Sequence, residues 1–226
     1  MADGSLRYSI QKSVRQLILE KIMIAVINYG AGNLRSVTNA INRLGYQAVI
    51  TDQPEDILRA SAVFLPGVGA AGDTMNSLKS LGLTGVIKRL AEENRHLLCV
   101  CVGLQVLFSG TEEGGWYECL NIIPGAVKKL PPGLKIPHMG WNQVNQKLAH
   151  PIFEGVPNGA NFYFVHSYYG QPEDPSVMAA ETEYGISFCS ALARGNLVAT
   201  QFHPEKSGDL GLRIYSNFLR SAGEEP

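Results

Sequence analysis

Long apolar runs, an excess of charge and abundant cysteine are all missing from this sequence, and each absence removes a class of protein. No stretch approaches the roughly 20 apolar residues that a membrane-spanning helix needs. The 226 residues carry 19 Lys and Arg against 20 Asp and Glu, for a formal net charge of −1. That balance gives no electrostatic footprint for nucleic acid or an anionic membrane. Cysteine occurs four times, as Cys99, Cys101, Cys119 and Cys189, and two of these sit too close to pair comfortably. A secreted disulfide framework is therefore not expected; a reducing compartment, the cytoplasm, is. Cys99 and Cys101 have no second Cys/His pair at ligand spacing behind them, so neither a metal site nor a cofactor is expected.

What is present describes one α/β domain. Residues 1–22 are polar, with Leu6, Ile10, Val14, Leu17 and Ile18 at roughly helical intervals and no continuous apolar core. They read as an extension, and 23–222 as the domain. Short apolar stretches at 22–27, 47–51, 62–65 and 96–101 read as strands. Between them lie helical segments at 33–44 and 54–59, and at 73–94 with a break near Gly82. This alternation predicts a mainly parallel central sheet flanked by helices, a flavodoxin-like core. After Gly114-Gly115 the pattern changes to strands at 121–130, 143–147, 162–169, 177–181, 187–193 and 197–202 joined by short turns, an added mixed or antiparallel region. A last helix at 210–219 closes the chain.

The most informative residue is Cys101, where the apolar run Leu97-Leu98-Cys99-Val100 turns abruptly toward a helix. A nucleophile on such a turn is exposed at the sheet edge, beside free helix N–H groups that favour a thiolate. The Val102 N–H is then aimed at the oxygen of an attacked carbonyl. Gly103 relieves crowding on one side of the turn, while Cys99 stands where a second small residue is usual. Cys99 has Cys101 rather than Gly two positions downstream, so Cys101 is the nucleophile. Far along the chain, Gln201-Phe202-His203-Pro204-Glu205-Lys206 supplies a base and a carboxylate two residues apart, on one side of an extended segment. Glu205 can hold the His203 imidazole, and His203 can deprotonate Cys101. The loop Leu65-Pro66-Gly67-Val68-Gly69 can present the Val68 or Gly69 N–H as a second oxyanion donor. Gly30-Ala31-Gly32-Asn33-Leu34-Arg35 is a partial dinucleotide fingerprint, rejected because Arg35 replaces the third glycine.

Together these residues resemble the class I, triad-type glutamine amidotransferases. Further segments sharpen the likeness: Asn28-Tyr29-Gly30-Ala31-Gly32-Asn33, Pro137-His138-Met139-Gly140-Trp141-Asn142 and Phe164-Val165-His166-Ser167-Tyr168-Tyr169. They point to the glutaminase subunits that serve imidazole glycerol phosphate synthase. The resemblance implies that Cys101 attacks the side-chain amide of L-glutamine, releasing ammonia through a thioester. It places glutamine on Gly69, Gln105, Glu113 and Tyr163. It also implies a heterodimer with a (β/α)8-barrel cyclase subunit that uses the ammonia to make imidazole glycerol phosphate and AICAR. Pro137, His138, Met139, Trp141, Tyr168 and Lys206 are the candidate interface. In such pairs the glutaminase is nearly silent until the partner binds its ligand. A glutaminase of another synthase and a γ-glutamyl cysteine hydrolase are the alternatives. Asn28, Ala31, Ala71, Cys119 and Asn121 depart from the commoner residues, and none belongs to the triad.

Overall fold

The structure, a computed structural model, describes residues 24–225. The expected extension at 1–22 lies outside the described residues. Four short strands, β1 (Ile24–Ile27), β2 (Ala48–Thr51), β3 (Ala62–Leu65) and β4 (His96–Val100), alternate with helices α1 (Leu34–Arg43), α2 (Pro54–Arg59), α3 (Ala71–Ser80) and α4 (Leu83–Glu92). All four residues of β1 and of β3 are buried, as expected of parallel strands covered on both faces. The helical segment expected over 73–94 is two helices. Gly82 separates them at φ +68°, a conformation that glycine adopts without a Cβ penalty.

One sheet of nine strands runs through the molecule in the order β2-β1-β3-β4-β13-β12-β11-β8-β9. Its later members are β8 (His138–Gln146), β9 (Ala160–His166), β11 (Met178–Glu183), β12 (Ser187–Arg194) and β13 (Leu197–Thr200). From β2 to β13 the pairing is parallel, and from β13 outward it is antiparallel. A second sheet of four strands has the order β10-β7-β5-β6. Its strands are β5 (Gly110–Thr111), β6 (Tyr117–Glu118), β7 (Gly125–Lys129) and β10 (Tyr168–Pro172). The fold is therefore α/β with a large mixed sheet, as the sequence predicts.

Three local differences matter for the site. The strand expected from 143 begins at His138, so His138–Asn142 belongs to it and Pro137 directly precedes it. The strand expected over 162–169 is broken at Ser167, and its two pieces join different sheets. The helix after Cys101, α5 (Val102–Gln105), is only one turn long. The final helix α6 (Gly208–Ser221) packs Ile214, Tyr215, Phe218 and Leu219 onto the core, with Phe64 edge-on to Tyr215 and Phe218.

Candidate active site

Cys101 stands between β4 and α5 with φ 55° and ψ −107°. A positive φ is unfavourable for a residue with a Cβ, by about 1–3 kcal/mol, and persists only when its surroundings enforce it. Two constraints do so here. The Cys101 N–H donates to the Thr200 carbonyl of β13 at 2.7 Å, and its carbonyl accepts the N–H groups of Leu104 and Gln105. Around the turn there is no room for side chains. A Cβ on Gly103 would lie 2.3 Å from the Leu65 carbonyl oxygen, and a Cβ on Gly67 would lie 2.3 Å from the Gly103 nitrogen. The 66–69 loop thus rests directly on the bend that carries the sulfur. Cys99, two residues earlier, is fully buried in β4, and burial pushes its thiol far up and out of use. The dipole of a one-turn α5 is small, which weakens the expectation that the helix alone favours a thiolate.

His203 follows β13 by three residues and Glu205 lies in a 3₁₀ turn, Pro204–Lys206. The His203 Nδ1 is 2.8 Å from Glu205 Oε1, with both side chains 1% exposed. Tyr215 of α6 donates to the other carboxylate oxygen at 3.3 Å, so the acid is held from two sides. The remaining ring nitrogen, Nε2, is buried and has no hydrogen-bond partner among the described residues. Burial alone lowers the His203 pKa. Interaction with the Cys101 side chain, then with Glu205, outweighs burial and raises it to about 9. The Cys101 side chain is thus a direct neighbour of the imidazole.

Cys101, His203, Val68, Gly69, Val102, Gln105 and Glu113 line one cavity of about 350 Å³, within the range of small-molecule sites. Val68 is 36% exposed, and Gly69 has φ +89° with open space where a Cβ would be. Glu113, in the loop after β5, accepts the Ala71 N–H at 2.9 Å through Oε2. Tyr163 does not line this cavity, contrary to its expected role on glutamine. In β9 Phe162, Phe164 and His166 are buried, and Tyr163 lies on the opposite face, the face of cavity-lining Val165 but farther along the strand. There it meets Trp141 edge-on at 6.2 Å and the Lys206 ammonium at 5.8 Å. What Tyr163 supplies toward the site is its carbonyl, which accepts the His203 N–H at 2.9 Å.

Val165, His166 and Ser167, for which the sequence alone gives no role at the site, form another wall with Tyr168. A chain of buried polar groups fixes that wall. The His166 Nδ1 lies 2.9 Å from the Tyr168 carbonyl, which can only accept, so this nitrogen carries the proton. The neutral ring then accepts at Nε2 from His138 Nδ1, 2.9 Å away. His138 in turn accepts at Nε2 from the Asn142 amide at 3.2 Å, and the same amide donates to the Glu183 carbonyl. Burial lowers the pKa of His138 to about 4 and that of His166 to about 3, consistent with two neutral rings. His138 was expected on the partner-facing surface. It is instead 3% exposed, stacked between Phe164 and Tyr184 at 4.9 and 4.0 Å, because alternate residues of β8 face inward. Its neighbours Met139 and Trp141 are 61% and 58% exposed. Pro137 is exposed and also lines the cavity, so the bare surface reaches the cavity mouth.

The chain matches the family described as glutamine amidotransferase class-I over residues 25–222. A protein of Dehalococcoides mccartyi strain CBDB1, named imidazole glycerol phosphate synthase subunit HisH, is 56% identical over 200 residues, spanning 88% of this chain and 98% of that protein. A protein of the same name from Moorella thermoacetica is 50% identical over 203 residues, spanning 88% and 97%. Among solved structures, one described as a glutamine amidotransferase superposes with a TM-score of 0.69 at 20% identity, covering 89% of this chain and all of that one. The PurLQS structure from Thermotoga maritima also gives 0.69, at 16% identity over 88% and 97% of the two chains. At those identities the structures speak for the fold, and the sequence matches for the family. A strained cysteine served by a buried His–Glu pair, on a scaffold matched across 25–222, belongs to the class I glutamine amidotransferases.

Proposed function

We propose that this chain is the glutaminase subunit of an imidazole glycerol phosphate synthase, hydrolysing L-glutamine and passing ammonia to a (β/α)8-barrel cyclase subunit in the cytoplasm. His203 Nε2 takes the Cys101 proton, and the thiolate attacks the side-chain carbonyl carbon of glutamine. The oxygen of the tetrahedral intermediate is held by the Val102 N–H, which heads α5 and has no acceptor within it. A second donor comes from the Val68–Gly69 loop. His203 returns its proton to the leaving nitrogen, the carbon–nitrogen bond breaks, and ammonia departs. Water, deprotonated by the same nitrogen, then cleaves the thioester to glutamate and regenerates the thiol. Glu205 keeps Nδ1 protonated throughout and balances the imidazolium.

The substrate is held by Gly69, Gln105, Glu113 and the Ser167–Tyr168 wall. The free oxygen of Glu113 is the partner for its ammonium. Pro137, Met139, Trp141, Tyr163 and Lys206 face the cyclase, with Tyr168 at the junction of surface and cavity. The observation that carries this reading is the meeting of Cys101 and the His203–Glu205 pair on one cavity whose rim is an exposed apolar strand. The test is imidazole glycerol phosphate formation by the chain with its cyclase, fed by glutamine or by ammonia. Cys101→Ala is expected to lose the first and keep the second. Loss of both, or of neither, overturns the assignment.

A further inference from the structure

His203 is the base for the sulfur, and a thiolate formed before glutamine arrives also calls for a hydrogen-bond donor of its own. One-turn α5 contributes little. Gln201 lies directly after β13, is 0% exposed, and has no part in the triad. Its Nε2 is 3.5 Å from the Cys101 Sγ. Which end of this amide faces the sulfur is decided by Gln105, whose Nε2 donates to the Tyr168 carbonyl at 2.9 Å and meets Gln201 Oε1 at 3.2 Å. An NH₂ group offers hydrogens and no lone pair, so it must face the Gln201 oxygen. A flipped Gln201 would oppose two NH₂ groups and set a carbonyl oxygen against the sulfur. The orientation is thus locked, with an N–H aimed at the reacting atom.

We infer that Gln201 is a further catalytic residue: its carboxamide N–H hydrogen-bonds the Cys101 sulfur and stabilises it as the thiolate, with Gln105 as the positioning residue. The inference rests on the reading of Cys101 as nucleophile. The step it assists is a proton transfer, in which the S–H proton passes to His203 Nε2 and no other bond changes. A hydrogen bond to the charged form favours that form. The sulfur also lies 3.9 Å from the Val165 carbonyl, a long contact in which only the thiol could donate. Once the thioester is cleaved, the departing sulfur finds the same donor waiting. The other titratable groups around the sulfur are His203 with Glu205 behind it, His166 from β9, Tyr29 after β1, and Glu113 across the cavity. A substitution at Gln201 alters none of them chemically.

Inactivation of the full chain by iodoacetamide, followed against pH, tests this. In Gln201→Leu, similar in volume and without a donor, alkylation at pH 7 is expected to slow about tenfold. Its pH midpoint is expected to rise by about one unit. Gln105→Leu, which frees the Gln201 amide to rotate, is expected to move the midpoint the same way by less. An unchanged midpoint in a Gln201→Leu protein that melts like the wild type overturns the inference. Alkylation of Cys101 in the wild type without loss of glutaminase would fail differently, removing the nucleophile itself. If Gln201→Leu does not fold, the wild type carries the test. The Gln201 side-chain amide protons are then expected to titrate with the alkylation midpoint, and not to do so in Cys101→Ala. An amide signal indifferent to pH in both overturns the inference.

Discussion

The two halves of the nine-stranded sheet solve different problems. In the parallel half, β1, β3 and β4 are buried on both faces, and helices leave no surface for anything but packing. Chemistry there is confined to the strand ends, where Cys101 is forced into its strained turn and His203 follows β13. In the antiparallel half, β8 and β9 alternate. One face buries His138, Phe162, Phe164 and His166, and the other bares Met139 and Trp141 beside Tyr163. The first half makes a reactive group by over-constraining it. The second shapes the space around that group and offers a surface to something else.

Substitutions in each half sharpen this division. The largest effect belongs to the parallel half: Cys101→Ala is expected to lower glutamine-dependent turnover on the order of 10⁴-fold. The folded protein and ammonia-dependent synthesis with the cyclase stay intact. Next is Gly67→Ala, whose Cβ would collide with the Gly103 backbone. We expect a loss of about 1–3 kcal/mol in denaturant titration, plus a fall in glutaminase larger than unfolding explains, as the loop lifts from the elbow. In the antiparallel half, Trp141→Ala is expected to change stability by no more than about 0.5 kcal/mol. It should weaken cyclase binding about 10- to 100-fold by titration calorimetry. Were Trp141→Ala to cost several kcal/mol of stability, or to leave cyclase binding unchanged, the contrast between the halves would be wrong.

The smallest effect is one of pH. His138 and His166 are held at about 4 and about 3, against an ordinary 6.5 in the unfolded chain. Their folded-state pKa values are lowered, so the unfolded chain takes up protons first as pH falls. The stabilisation from keeping them neutral is complete above about pH 6.5 and drains away toward pH 3–4. Between pH 7 and pH 5 the loss is expected to be on the order of 1 kcal/mol per histidine, the two titrating as a pair. Urea unfolding at both pH values checks it: His166→Asn is expected to show a smaller drop than the wild type.

Much of this was legible in the sequence where the signal is local. The apolar run into Cys101, the spacing of His203 and Glu205, and the paired glycines of the 66–69 loop each announce a conformation within a few residues. The side of β9 that Tyr163 takes was also readable, since Phe162, Phe164 and His166 define an inward face by simple alternation. The resemblance places Tyr163 on the substrate; the residue is outside the cavity lining, on the strand face that it shares with cavity-lining Val165. The rest was not legible because it depends on distant partners. Nothing near Ser167 says that the chain changes sheets there, so the wall built by Ser167 and Tyr168 has no local signature. The same holds for Gln201, whose partners Gln105 and Cys101 are 96 and 100 residues away.

The break at Ser167 has a mechanical consequence. Upstream of it the backbone is anchored to β8 in the large sheet, and downstream to β7 in the small one. The cavity wall is therefore pinned on both sides of its break, at His166 by the large sheet and at Tyr168 by the small one, and the hydrogen bond from the His166 ring to the Tyr168 carbonyl closes the gap between the two anchors.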